Sequence, residues 1–196
     1  MKHHVIYIPG IGDDIGKVQS RLVKLWQFQG VQPHTYVIPW AGENKYYESK
    51  RALKKRIEKL ISQGDKVSLV GASAGGCGVI NAYLELPGKI SGVAMICPKL
   101  INANNIGDSI VAQNPAFKQA MDELQVRLND LAEPAKRNLV SFISPRDGLV
   151  SYRDSSVSGV KEVKLPALRH NFAILYTLTI GSRRLITELK QIADTA

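Results

Sequence analysis

Val67-Ser-Leu-Val-Gly-Ala-Ser-Ala-Gly-Gly-Cys-Gly78 is the stretch on which the rest of the chain depends. It opens with a β-branched and aliphatic run bounded by Gly64 and Asp65, which predicts a buried strand over Lys66 to Val70. Small residues then lead into a helix predicted over about Ala74 to Leu86, so Ser73 falls at the strand-to-helix turn. Gly71 and Gly75 flank it in the pattern Gly-x-Ser-x-Gly, a turn that needs small neighbours, strains the serine and lifts its hydroxyl above the sheet. Gly75, Gly76 and Gly78 each cost roughly 1 kcal/mol relative to alanine inside a helix, so close packing of helix on strand is their expected reason. The pattern alone is weak, since it arises by chance in on the order of 5 to 10% of chains this long. Its surroundings must carry the case.

Working toward the N-terminus, His4 to Ile8 reads as the first strand and Pro9-Gly10-Ile11-Gly12-Asp13-Asp14 as the loop after it. A phosphate-binding reading of that loop fails. A Gly-x-x-x-x-Gly-Lys loop ending at Gly16 and Lys17 would need glycine where Ile11 stands, and a dinucleotide fingerprint from Gly10 would need a small residue in place of Ile15. Asp13 and Asp14 would also repel phosphate; their simplest role is to cap the next helix, with contact to a polar substrate as the other reading. That helix is predicted over Asp14 to Phe28, with Ile15, Val18, Leu22, Leu25 and Trp26 on one face and Gly30 stopping it. The second strand is predicted at Thr35 to Ile38. A basic helix follows over about Asn44 to Ser62, with Leu53, Ile57, Leu60 and Ile61 at helical spacing and its lysines and arginines on the solvated back.

Toward the C-terminus, Ile90 to Cys97 reads as the fourth strand, Asn138 to Ile143 as the fifth and Val160 to Leu165 as the sixth. A final helix is expected over Asn171 to Ile192, bent near Gly181. Strand and helix alternate through the first half, which argues for a parallel sheet covered on both faces. The rhythm breaks over 99–137. There Phe117, Met121, Leu124, Leu128 and Leu131 mark a helix capped by Asn114, and the segment is either a small lid or a plain packing helix. Nothing divides the chain, and one domain over 1–196 is expected.

Composition narrows the function classes. Of 196 residues, 44% are hydrophobic and 22% charged, ordinary for a globular protein. Cys77 and Cys97 lie in apolar or small-residue stretches rather than a spaced framework, which argues against a disulfide scaffold or a zinc motif and for buried thiols in a reducing compartment. The run before Pro9 is too short for a signal-peptide core and no apolar segment approaches a membrane span, so a cytoplasmic protein is expected. The net charge of +9 gathers in the basic helix, where contact with an anionic surface is conceivable, yet no aromatic residues are interleaved for base stacking and nucleic acid is not an expected partner.

In an open parallel sheet ligands bind beyond the carboxyl ends of the strands, and this filters the polar residues. His3, His4 and His34 stand at strand entries, the wrong edge. His170 follows the sixth strand, and Asp147 follows the fifth in Ser-Pro-Arg-Asp-Gly-Leu-Val, with Asp154 as the substitute acid. Ser73, Asp147 and His170 therefore converge on one edge.

That order of serine, aspartate and histidine, with Gly71-Ala-Ser-Ala-Gly75 and the Pro-Gly-Ile-Gly loop, resembles the α/β-hydrolase family over nearly the whole chain. The resemblance implies an α/β fold: a minimal open parallel sheet of about six strands with helices on both faces, a three-layer sandwich in which His4 to Ile8 is the family's third strand. It implies a small lipase- or esterase-like serine hydrolase cleaving carboxylic ester or thioester bonds through an acyl-enzyme, on a small-molecule acyl substrate and with no metal or cofactor. Ser73 would be nucleophile, His170 general base and Asp147 its orienting acid. The backbone N–H groups of Ile11 and Ala74 would form the oxyanion hole, with Gly10 and Gly12 letting the main chain approach. Pro9 and Ala72 stand where many members carry histidine. From a different class, the alternative is a catalytically silent scaffold that binds a partner through its basic helix. Oligomeric state is not legible.

Overall fold

The structure, a computed structural model, describes residues 1–101 and 108–195, and of residues 13–16 and 108 the backbone only. The expected roles of the Asp13, Asp14 and Ile15 side chains, and the asparagine-rich part of 99–137, lie outside the described residues.

Six strands form one parallel sheet in the order β2-β1-β3-β4-β5-β6: β1 (His3–Ile8), β2 (Gln32–Thr35), β3 (Lys66–Ala72), β4 (Gly92–Ile96), β5 (Leu139–Ile143) and β6 (Lys161–Lys164). The period of two along each strand sorts side chains onto two faces. Ile6, Ile8, Val67, Leu69, Val93 and Met95 face one layer, built from α2 (Lys45–Ser62), α3 (Gly75–Glu85) and, beyond the short α4 (Asp108–Gln113), α5 (Pro115–Arg127). Val5, Tyr7, Val70, Ala72, Ala94 and Ile96 face the other. That layer holds the end of α1 (Asp13–Val23), Trp26, α8 (His170–Leu178) and α9 (Ser182–Thr195). Two short helices, α6 (Glu133–Lys136) and α7 (Tyr152–Ser155), flank β5. Among the described residues no helix is long and apolar enough to cross a membrane.

Four local expectations need correction. The first helix ends at Val23 and tightens into a 3-10 turn over Lys24–Gln29, which shifts the stripe past Val23 so that Trp26 is buried and Leu25 exposed; upstream, Val18 is exposed while Val23 is buried. The second strand begins earlier, at Gln32. It is an edge strand, which tolerates Pro33, whereas Val37 and Ile38, though β-branched, lie past its end. Asn114 occupies the N-cap position of α5, but its amide donates to the Ile110 carbonyl instead of capping. The last helix is not bent but broken, with Thr179, Ile180 and Gly181 between α8 and α9.

The basic helix buries Leu53 and Ile57 as expected. Its charges are less free than a solvated back. Lys50 contacts Glu85 at 3.1 Å and Glu123 at 2.7 Å, and Arg127 bridges the same two carboxylates, tying α2, α3 and α5 together.

Candidate active site

Ser73 follows the last residue of β3 with φ of 52°, a left-handed conformation that costs a non-glycine residue about 1 kcal/mol or more. Its surroundings enforce the strain. The Ser73 amide donates to the Ile96 carbonyl at 3.0 Å, and its own carbonyl accepts from Gly76 at 2.9 Å and Lys99 at 3.3 Å. Gly71 and Gly75 are required by contact: a Cβ on Gly71 would stand 2.3 Å from the Gly75 oxygen, and one on Gly75 only 2.1 Å from the Ile8 oxygen. Gly76 meets Pro98 in the same way at 2.6 Å. The packing of α3 onto the strand ends beneath the serine therefore accounts for these glycines.

The loop after β1 passes directly over the serine. A Cβ on Gly10 would lie 2.9 Å from Ser73 Cβ and 3.5 Å from its Oγ. Trp40 Nε1 pins that loop by donating to the Pro9 carbonyl at 3.2 Å. Gly12, at φ of 117°, turns the chain into α1, in a region side chains rarely enter. Ile11 lies between them, and Ala74 is the N-cap residue of α3.

Asp147 sits beyond β5 in a turn that Gly148 permits with φ of 76°. Its Oδ1 accepts from the amides of Leu149 at 3.0 Å and Val150 at 2.7 Å, leaving Oδ2 to meet His170 Nδ1 at 2.7 Å. The backbone repeats the link, with the His170 amide donating to the Asp147 carbonyl at 2.9 Å. Both residues are buried. Burial alone would raise the Asp147 pKa, but the His170 hydrogen bond and the two amides outweigh it and hold the carboxyl below its ordinary value. Asp154, the substitute acid, is engaged elsewhere: it forms a buried ion pair with Lys99 at 2.8 Å.

The end of β4 joins these two halves. Ser73 bonds to Ile96, and the next residue, Cys97, places its Sγ within 4.8 Å of the ligand atoms of both Asp147 and His170. Sequence reasoning passed over Cys97 as a plain buried thiol. The filter that selected Asp147 and His170, position just past a strand's carboxyl end, would have selected it too. Cys97 has φ of 45°, and burial, followed by the neighbouring Asp147 carboxylate, pushes its thiol pKa well up.

A cavity of about 510 Å³ opens beside Asp147, walled by residues 144–152. A larger one of about 640 Å³ lies against β6, α8 and α9, and none of Ser73, Asp147 and His170 lines it. The remaining histidines lie at the opposite edge of the sheet: His4 between Asp65 and His34, and His3 against Ser68.

No protein-family model and no curated protein sequence matches the chain. Solved structures do. An α/β-hydrolase enzyme from the metagenome of Mar Chica lagoon sediments superposes with a TM-score of 0.70 at 12% identity, covering 97% of this chain and 92% of its own. The monoacylglycerol lipase of Paleococcus ferrophilus gives 0.63 at 17% identity, with 98% and 95% covered. A Bacillus licheniformis lipase gives 0.67 at 14% identity, with 94% and 91% covered. Likeness at such low identity speaks for architecture, and it agrees with the strand order and the serine turn: the chain has the α/β-hydrolase fold.

Proposed function

We propose that the protein is a serine hydrolase of carboxylic esters, working through an acyl-enzyme on a small-molecule acyl substrate. The observation that carries this reading is the 2.7 Å contact between His170 Nδ1 and Asp147 Oδ2 at the edge where strained Ser73 emerges. Ser73 Oγ attacks the carbonyl carbon while His170 Nε2 takes its proton. Asp147 holds the proton of the neutral ring on Nδ1 and stabilises the imidazolium. The tetrahedral oxyanion is received by the amides of Ile11 and Ala74, a role supported by the approach of the Gly10 backbone to the hydroxyl. When the bond to the leaving oxygen breaks, His170 returns the proton to that oxygen. Water, deprotonated by His170, then attacks the acyl-serine; the acid departs and Ser73 recovers its proton. Thioesters fall within reach of the same machinery.

The lipases among the structural neighbours favour an ester as the scissile group. Hydrolysis of a short p-nitrophenyl ester by wild type and Ser73→Ala, with fluorophosphonate labelling, tests the reading. Serine-dependent turnover and labelling are expected. Their absence from a folded wild-type chain replaces the enzyme with the silent scaffold.

A further inference from the structure

We infer that Cys97, Asp147 and His170 form a binding site for a thiophilic divalent cation of the zinc class, and that occupancy switches off the hydrolysis proposed above. The inhibition rests on that hydrolytic reading; the binding site does not. The three ligand atoms come from three different strand ends and lie within 4.8 Å of one another. Donors bound to one ion at about 2.0 to 2.3 Å stand roughly 3.3 to 3.8 Å apart in tetrahedral geometry. Small side-chain rotations therefore convert the triangle into a coordination set.

The donor chemistry is selective. Thiolate and imidazole favour zinc, cadmium and cobalt, whereas magnesium and calcium require shells of six or more oxygens. Charge favours the site as well. One thiolate and one carboxylate neutralise a dication, so the buried ensemble carries no net charge and avoids the main penalty of placing ions among apolar groups. Of the three ligands, Asp147 borders the cavity of about 510 Å³.

The protons define the mode of inhibition. Binding releases the Cys97 thiol proton to solvent. His170 stays neutral but gives its Nδ1 lone pair to the metal, so its single proton moves to Nε2. That nitrogen then donates and can no longer take the proton of Ser73. The catalytic base is lost through its tautomer, with the serine left in place. Spacing rules read from sequence find only ligands close together in the chain, and they pass over positions 97, 147 and 170.

The test uses cobalt(II) as a spectroscopic probe on the full chain, because a thiolate-to-cobalt charge-transfer band requires a cysteine ligand. The chain has two cysteines. Wild type and Cys77→Ala should both show the band, and zinc should displace it whereas magnesium should not. Cys97→Ser should lose the band and bind zinc on the order of 100-fold more weakly. If Cys97→Ser does not fold, the band in Cys77→Ala still assigns the ligand, since Cys97 is then the one thiol left. Ser73→Ala should bind cobalt as wild type does, with or without turnover. No band in wild type, a band lost with Cys77, or a band kept in Cys97→Ser overturns the site. Zinc should also stop p-nitrophenyl ester hydrolysis, with recovery on chelation. Binding without inhibition in a hydrolysing protein overturns the tautomer lock, whereas a band that follows Cys97 in a protein without turnover supports the site and sinks the hydrolytic reading.

Discussion

The sheet carries a histidine–carboxylate pair at each of its two edges, and only one resembles a machine. At the carboxyl edge His170 meets Asp147 at 2.7 Å; at the amino edge His4 meets Asp65 at 3.1 Å. Both carboxylates also accept backbone amides, from Leu149 and Val150 in one case and from Lys2 in the other. The difference lies in the second ring nitrogen. His4 Nδ1 is bound to His34 Nε2 at 2.8 Å, and His34 Nδ1 faces the Arg56 guanidinium at 3.0 Å. Arginine can only donate, so His34 accepts at Nδ1, donates from Nε2 to His4, and His4 donates from Nε2 to Asp65. Every nitrogen of both rings is thereby committed to a chain running from cation to anion. An imidazole beside a carboxylate is therefore not a site in itself; the proposed base also lies at the edge of the sheet from which a strained serine emerges.

The largest expected effect separates the two edges by chemistry. Ser73→Ala or His170→Ala should lower ester turnover by roughly 10⁴- to 10⁶-fold with the circular dichroism spectrum unchanged. His4→Ala should leave turnover per folded molecule within a few-fold of wild type and lower the unfolding midpoint instead. Equal kinetic losses at the two edges would dissolve the distinction.

Asp154 sharpens it further, because this carboxylate lies at the productive edge yet pairs with a lysine. Asp147→Asn should reduce kcat by about 10⁴-fold, through loss of the correct tautomer. Asp154→Asn should spare kcat and destabilise the chain by about 3–5 kcal/mol, since it strands the buried Lys99 ammonium. Urea denaturation beside steady-state kinetics reads both. A smaller, purely steric effect belongs to Gly75→Ala: its Cβ would press on the Ile8 backbone oxygen and should cost about 1–3 kcal/mol, with lost turnover if Ser73 is displaced.

The parts of this architecture legible in the chain were those where backbone and burial obey one rule at a time. The continuous aliphatic runs of β3, β4 and β5 marked buried parallel strands, and the glycines around Ser73 marked a close backbone approach in which an added Cβ would come within 2.1 to 2.3 Å of a neighbouring carbonyl oxygen. Position relative to a strand's carboxyl end selected Asp147 and His170. The misplaced parts were those set by tertiary context. Val37 and Ile38 have strand propensity but lie beyond the edge pairing, and a switch to 3-10 geometry after Val23 rotated the helical stripe. Cys97 and the Lys99–Asp154 pair escaped notice because their partners are distant in sequence and close only after the strands align.

The smallest expected effect comes from the amino edge and concerns pH. Burial first, then Arg56 and then His4 lower the pKa of His34 below its ordinary value of 6.5. The unfolded chain, free of those influences, takes up a proton at His34 before the folded one does as pH falls. The contribution of His34 to stability is therefore intact above pH 6.5, declines as the pH drops below that value, and is gone once it passes the folded pKa. Protonation would also set the new Nδ1–H of His34 against an N–H of Arg56, while the ring pair kept its bond. His34→Gln retains one donor and one acceptor but does not titrate. The loss of unfolding free energy on acidification should be shallower in this variant than in wild type. The pH dependence of turnover, governed by the other edge, should not move. Parallel shifts in both profiles would mean that the two edges are coupled through the sheet.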